Sequence, residues 1–175
     1  MRKVLYILGQ LSDSDVGWLA DAGQRVRHSK GTELIRFGQP VAHLFFILDG
    51  ELSIRTNKGF ELAKVGAGDI LGEMSLVDAR PPSASAVVSE DAYILAIDKA
   101  ALKAKLQSDT GFASRFYLAI AIFLSERMRS TVGRMGYGDD SQDNPVEEDE
   151  LDTNVLDNVH LAGARFERLL QKLMG

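Results

Sequence analysis

The residues with chemistry to offer lie close together, in the stretch Gly66-Ala67-Gly68-Asp69-Ile70-Leu71-Gly72-Glu73-Met74-Ser75-Leu76-Val77-Asp78-Ala79-Arg80-Pro81-Pro82-Ser83-Ala84-Ser85-Ala86. It reads as a strand, a glycine, one short apolar turn, and a polar loop of small residues entering another strand. Gly72 lets the backbone approach a ligand closely. A short helix beginning there, at Gly72, Glu73, Met74 and Ser75, would present free N–H groups to an anion. Glu73 in its first turn can accept hydrogen bonds from a sugar hydroxyl. Arg80 is the one base of the loop, and Ser83 and Ser85, on either side of Ala84, add hydroxyl donors.

Other chemistries find little support. His28, His43 and His160 are far apart and lack metal-ligand spacing. No Gly-x-Ser-x-Gly nucleophile elbow and no glycine loop ending in Gly-Lys-Ser or Gly-Lys-Thr occurs. The chain has no cysteine, which excludes disulfides, thiolate metal sites and a cysteine nucleophile. The acid pairs Asp139/Asp140 and Glu147/Glu148 sit where nothing would desolvate them. The reading is therefore a non-enzyme without metal or cofactor.

Several elements must position the stretch. Ser12 with Asp15 forms a capping box for a helix carrying Val16, Leu19 and Ala20, and Gly23 stops it. Trp18 beside that stripe reads as a packing residue. From Gln24 to Ile97 short alternating runs are divided by turn residues. They include Thr32-Glu33-Leu34-Ile35, His43 to Leu48, Glu51 to Arg55, Phe60 to Val65, Ser83 to Val88 and Tyr93 to Ile97. Asp49-Gly50 is a two-residue hairpin signal. Turns every eight to twelve residues predict a mainly β fold with flanking helices, a sandwich or barrel of the jelly-roll kind. Lys99 to Gln107 predicts a short helix and Phe112 to Met135 a long one. Because Phe116 to Leu124 is apolar all round, that helix is expected to lie on the barrel by one side. Its other side needs a second copy of the chain or the C-terminal segment.

Charge divides the rest. Net charge is −5, yet eight acids fall within residues 139–152, leaving +3 on the remainder. That stretch reads as a solvated linker. Beyond it, Val155, Val159, Ala162, Phe166, Leu169 and Leu173 recur at spacings of four and three, a coiled-coil-like seam that must dock somewhere. The expected division is residues 1–136 as the domain, 137–154 as the acidic linker and 155–175 as the amphipathic helix. The longest apolar run is nine residues, far below a membrane span. The N-terminus lacks a signal-peptide cleavage pattern, and the expected location is the cytoplasm.

The Gly66–Ala86 stretch resembles the phosphate-binding cassette of the cyclic-nucleotide-binding domain family, shared by catabolite-activator-type regulators, cyclic-nucleotide-dependent kinases and cyclic-nucleotide-gated channels. The resemblance spans about Ser12 to Gly136, with Gly31, Gly38, Gly50, Gly66 and Gly68 at the family's turn positions. It implies an N-terminal helix, an eight-stranded jelly-roll β-barrel, a long C-terminal helix and a cyclic AMP or cyclic GMP ligand contacted by Gly72, Glu73, Met74, Ser75, Arg80, Pro82, Ser83, Ala84 and Ser85. The family's phosphate-pairing arginine falls at Pro82, and Arg80 stands two residues early. Loss of that charge-assisted contact is worth about 2–5 kcal/mol. Three readings of the cassette stay open: a cyclic AMP or cyclic GMP site, a site for another anion or a cyclic dinucleotide, and a structural turn.

Family members that regulate transcription carry a helix-turn-helix domain after the long helix. Here the 39 residues after Gly136 hold the acidic stretch and one helix, so direct DNA binding is not expected. The overall expectation is a stand-alone sensor module that signals to a protein partner through its C-terminal helices. The alternative is a non-nucleotide-binding homodimeric adaptor.

Overall fold

The computed structural model describes residues 7–78, 80–134 and 153–174. A helical turn at residues 7–10 leads into α1, Asp13–Ala22. Its start follows from local chemistry. The Ser12 hydroxyl accepts from the Asp15 N–H at 3.2 Å, and the Asp15 carboxylate accepts from the Ser12 N–H at 2.7 Å. Gly23 ends the helix in an extended conformation and begins the sheet. Trp18 packs edge-on against Phe112 at 5.4 Å, as its expected role requires.

Six strands form one antiparallel sheet: β1 Gly23–His28, β2 Glu33–Ile35, β3 His43–Arg55, β4 Glu61–Gly66, β5 Ile70–Leu71 and β6 Ser85–Asp98. The path runs β1-β6-β3-β4, with β2 also on β6 and β5 also on β3. The jelly-roll class holds, although the path is open and does not close into a barrel. Six strands stand where eight were expected: two pairs of the sequence's six runs are fused, into β3 and into β6, while β1 and β5 are additional to those runs. β3 continues through Asp49-Gly50, which is therefore not a hairpin turn. Register breaks on either side of Asp49 and Glu51 make it a bulged bend. Gly50 has φ +88°, and a Cβ there would lie 2.4 Å from the Asp91 carbonyl oxygen. The bends of β3 and β6 thus abut, and long-range pairing overrides the local turn signal.

The Leu44–Leu48 run is buried on both faces. Leu44, Phe46 and Leu48 face the helices and join Leu19, Phe112, Phe116, Ile120 and Phe123. Phe45 and Ile47 face the other way, with Leu52, Val65, Leu71, Val88 and Ile94. This is the period-two alternation of a strand covered on each side.

Among the described residues four further helices follow: α2 Met74–Val77, α3 Lys99–Ser108, α4 Thr110–Arg134 and α5 Thr153–Met174. Asp98 caps α3 by accepting from the Ala101 N–H. On α4 the buried row is Phe112, Phe116, Ala119, Ile120 and Phe123, whereas Tyr117, Leu118, Met128 and Val132 are exposed. The C-terminal seam docks on α1. Ala162 and Leu169 are buried, and Phe166, Leu170 and Leu173 pack beside them. Arg165 and Arg168 both pair with Asp13, and Lys172 pairs with Asp21. Ascending residue numbers meet on both helices, so α1 and α5 run parallel. The expected linker falls on residues 137–154, almost all outside the described residues, and so do the side chains of Val155 and Val159.

Candidate functional site

The approach to the cassette is a turn fastened to β3. The Asp69 carboxylate accepts from the Gly66 N–H at 3.0 Å, and Gly68 N–H and Asp69 C=O bond to Ile47. β5 then pairs with Phe45 and Phe46. At Gly72 the backbone takes φ +87°, and a Cβ would lie 2.7 Å from the His43 carbonyl oxygen. The glycine is needed for this close approach within the protein. α2 follows, with Glu73 at its start in helical conformation and without a side-chain cap.

Glu73 is 2 % exposed. Its carboxylate accepts from Arg127 Nη1 of α4 at 2.5 Å, and Arg127 Nη2 donates to the Ile70 carbonyl at 3.3 Å. The guanidinium also lies over the Phe123 ring at 4.8 Å. Burial pushes the Glu73 carboxyl above the usual carboxylate range, while Arg127 and Lys99 pull against it. Lys99, the first residue of α3, is itself buried. Its Nζ donates to Ser75 Oγ at 2.6 Å and to the Val41 carbonyl at 3.0 Å. Burial lowers its amine pKa, and Glu73 opposes that shift. The Ser75 hydroxyl donates onward to the Gly72 carbonyl at 3.3 Å.

The second half of the cassette is tied elsewhere. Pro82 C=O accepts from the Gly38 N–H at 2.9 Å. Ser85 Oγ accepts from the Phe37 N–H and donates to Glu33, each at 3.0 Å. Arg80 turns outward, its side chain 88 % exposed and 3.7 Å from Asp78. Met74 and Ser83 are exposed and Ala84 is half-buried. The expected contact residues therefore fall into two groups. Gly72, Glu73 and Ser75 are held by the helical side, and Pro82 and Ser85 by the β2–β3 connection.

Sequence reasoning missed Arg127 and Lys99. Arg127 was legible only as one base among several at the end of a long helix. The signal for it was register: Phe116, Ile120, Phe123 and Arg127 are spaced four, three and four, so the buried face carries a cation. Lys99 is a cation at a helix N-terminus, where the helix dipole disfavours it, so a partner had to be sought. Among the described residues no group of three His, Asp or Glu side chains could hold a metal ion. Also among them, no helix is long and apolar enough to cross a membrane.

A bent antiparallel sheet, a cassette entered through a positive-φ glycine and a long helix bonded to that cassette are the parts of this domain. Residues 25–109 match the family model described as "Cyclic nucleotide-binding domain". Over 110 residues the chain is 28 % identical to the Pycsar effector protein XpPycTIR of Xanthomonas perforans, covering 62 % of this chain and 36 % of that one. It is 29 % identical over 111 residues to the cAMP-dependent protein kinase regulatory subunit of Colletotrichum orbiculare, covering 62 % and 28 %. Among solved structures, a cyclic nucleotide-binding domain from Methylobacillus flagellatus superposes with TM-score 0.70 at 29 % identity, covering 77 % of this chain and 82 % of that one. The domain built on residues 25–109 belongs to the cyclic-nucleotide-binding domain family. The chain spans about a third or less of the length of these curated relatives.

Proposed function

We propose that this chain is a non-catalytic regulatory module that binds a cyclic nucleotide or a related phosphate ligand at the cassette and signals to a protein partner through its C-terminal helices. The observation that carries this reading is the Glu73–Arg127 pair. The residue suited to a sugar hydroxyl is already bonded to the long helix. A ligand that takes the Glu73 carboxylate must drag or release Arg127, and with it α4, which biases the helix between two positions. Gly72, Glu73, Met74 and Ser75 line one side of the ligand, and Arg80, Pro82, Ser83, Ala84 and Ser85 the other.

The module is residues 1–136, followed by an acidic linker at 137–154 and the terminal helix at 155–175. It works as a homodimer through α4. Leu118, Ala121, Ser125, Met128 and Val132 form a seam spaced three, four, three and four, and its large apolar members are exposed. A cysteine-free chain suits a reducing cytoplasm, and the charge pattern gives no support to direct DNA binding.

Calorimetric titration with cyclic AMP, cyclic GMP and cyclic di-GMP, at low and physiological salt, tests the reading. Saturable micromolar binding by one of them, weakened in Glu73→Ala, is expected. Absence of heat with all three at millimolar concentration overturns it. That outcome favours a second reading, a constitutive dimeric adaptor. The exposed, outward-turned Arg80 and the proline at the arginine position support this alternative.

A further inference from the structure

One cavity among the described residues is not lined by the cassette's own residues. It is an open hollow of about 310 Å³ bounded by β2, the β2–β3 connection and the start of β3. Phe45 and Val41 are among its lining residues. Phe45 is 7 % exposed and belongs to the inner-face cluster, with Val41 packed against that cluster. The His43 ring stands 5.9 Å from the Phe45 ring, tilted by 34°. The polar groups at the rim are Glu33, Arg36 and Gln39.

Arg36 is held without being consumed. Its Nε donates to Glu33 at 2.8 Å, while its side chain remains 71 % exposed. A guanidinium has five N–H donors, so most of its donor fork faces outward. Glu33 is fixed in turn, its other oxygen accepting from Ser85 Oγ at 3.0 Å. Arg36 and Ser85 hold the Glu33 carboxyl below its ordinary range.

The segment that carries Arg36 is clamped to the second half of the cassette. Phe37 N–H bonds Ser85 Oγ, and Gly38 N–H bonds the Pro82 carbonyl. The connection that carries this guanidinium is thus bonded, two residues on at Gly38, to the one cassette position, Pro82, where the family resemblance places a cation and this sequence has none. The cavity volume lies at the lower end of small-molecule sites, where a mononucleotide fits. The mix of groups suits the same class of molecule. There is one fork-shaped cation for phosphate, one carboxylate and one amide for hydroxyl or base edges, and Phe45 with Val41 for a base.

We propose that Arg36 is the phosphate anchor of this chain's ligand site and that the hollow between β2 and β3 receives a nucleoside phosphate. The inference rests on the reading that the domain binds a nucleotide, and it moves the anion contact from the cassette arginine to the adjoining connection. The phosphate sits on the open side of the guanidinium, away from Glu33.

Titration of wild type, Arg36→Gln and Arg80→Gln with cyclic AMP, cyclic GMP and cyclic di-GMP tests it, with melting temperatures as the folding control. The ligand that binds wild type is expected to bind Arg36→Gln at least about 30-fold more weakly, with a shallower salt dependence. Arg80→Gln is expected to weaken binding by less than Arg36→Gln does. Amide shifts at Gln39 and His43 should accompany binding. Unchanged affinity in Arg36→Gln, with loss in Arg80→Gln, overturns this inference and leaves the nucleotide reading standing. Failure of all three ligands to bind wild type overturns both.

Discussion

Arg127 and Glu73 are 54 residues apart in the chain, yet their side chains meet at 2.5 Å with the carboxylate 2 % exposed. The pair joins the middle of the long helix to the first residue of the cassette turn. A carboxylate so buried is tolerable only when its charge is matched. Lys99 contributes a second positive field from α3, so α3 and α4 both help to neutralise one cassette residue.

Removing the guanidinium should therefore cost more than removing the carboxylate. Arg127→Met leaves Glu73 buried beside Lys99 alone, and a loss of about 3–5 kcal/mol is expected in urea denaturation. Glu73→Gln keeps an acceptor for Arg127 and should cost less. The pH dependence has a definite sign. Burial raises the folded carboxyl pKa, so stability falls as pH rises from the ordinary glutamate value through the raised one. The Arg127→Met deficit should shrink as pH is lowered, because a neutral Glu73 needs no partner. A deficit independent of pH would refute this account.

Asp15 titrates in the opposite sense. Burial alone would raise its pKa, but Arg115, at 2.7 and 3.0 Å, and the Ser12 cap hold it below the ordinary range. A depressed pKa stabilises the fold above the unfolded value and ceases to do so as pH falls through the folded one. Asp15→Asn should cost about 1.5–3 kcal/mol at pH 7. The gap should close below the ordinary aspartate value of 3.8, measured by denaturation at pH 7 and pH 3.

Local and distant signals were not equally legible. The Ser12–Asp15 box was readable because every atom it needs lies within four residues. The strands were readable because alternation is local, and the cassette because its glycine and glutamate stand together. Asp49-Gly50 was misread because a hairpin signal is also local. Pairing with β6 across more than forty residues overrode it and carried β3 straight on through a bulge. Arg127 and Lys99 were missed for the same reason: each acquires its meaning from Glu73 and Ser75, which only the fold brings near.

Gly72 and Gly59 make a controlled comparison. Both have positive φ, +87° and +85°. A Cβ at Gly59 meets nothing within 4 Å, whereas one at Gly72 meets the His43 carbonyl at 2.7 Å. Gly59→Ala should show backbone strain alone, about 1 kcal/mol. Gly72→Ala should cost at least about 1 kcal/mol more, because a backbone oxygen must give way. Equal melting temperatures for the two variants would mean that the close approach at His43 carries no energy.

The terminal helix should be separable from the domain by one substitution. Leu169 is 2 % exposed between α1 and α5, and Phe166 packs beside it. Leu169→Asp or Phe166→Asp buries an unpaired charge, costing a few kcal/mol. Faster amide exchange across residues 161–173, with β3 and β6 unaffected, is the expected result. Unchanged exchange and melting would show that the contact with α1 does not hold the helix.

Pro82→Arg asks whether the cassette keeps the architecture for a phosphate. Pro82 contributes its carbonyl, which accepts from Gly38 N–H, and the substitution leaves that carbonyl in place. The arginine side chain would then start from the position the family pattern assigns to it. Two effects separate. In an otherwise wild-type chain the added fork should tighten nucleotide binding at least tenfold, a gain of about 1.4 kcal/mol. In an Arg36→Gln background the same substitution should restore what Arg36 supplied, since one phosphate needs one such fork. Calorimetry on the single and double variants reads both effects. A tighter single variant without rescue in the double would mean that the two arginines serve different parts of the ligand. No gain in either would mean that the Pro81-Pro82 backbone aims the side chain away from the site, and that the phosphate belongs to the β2–β3 connection alone.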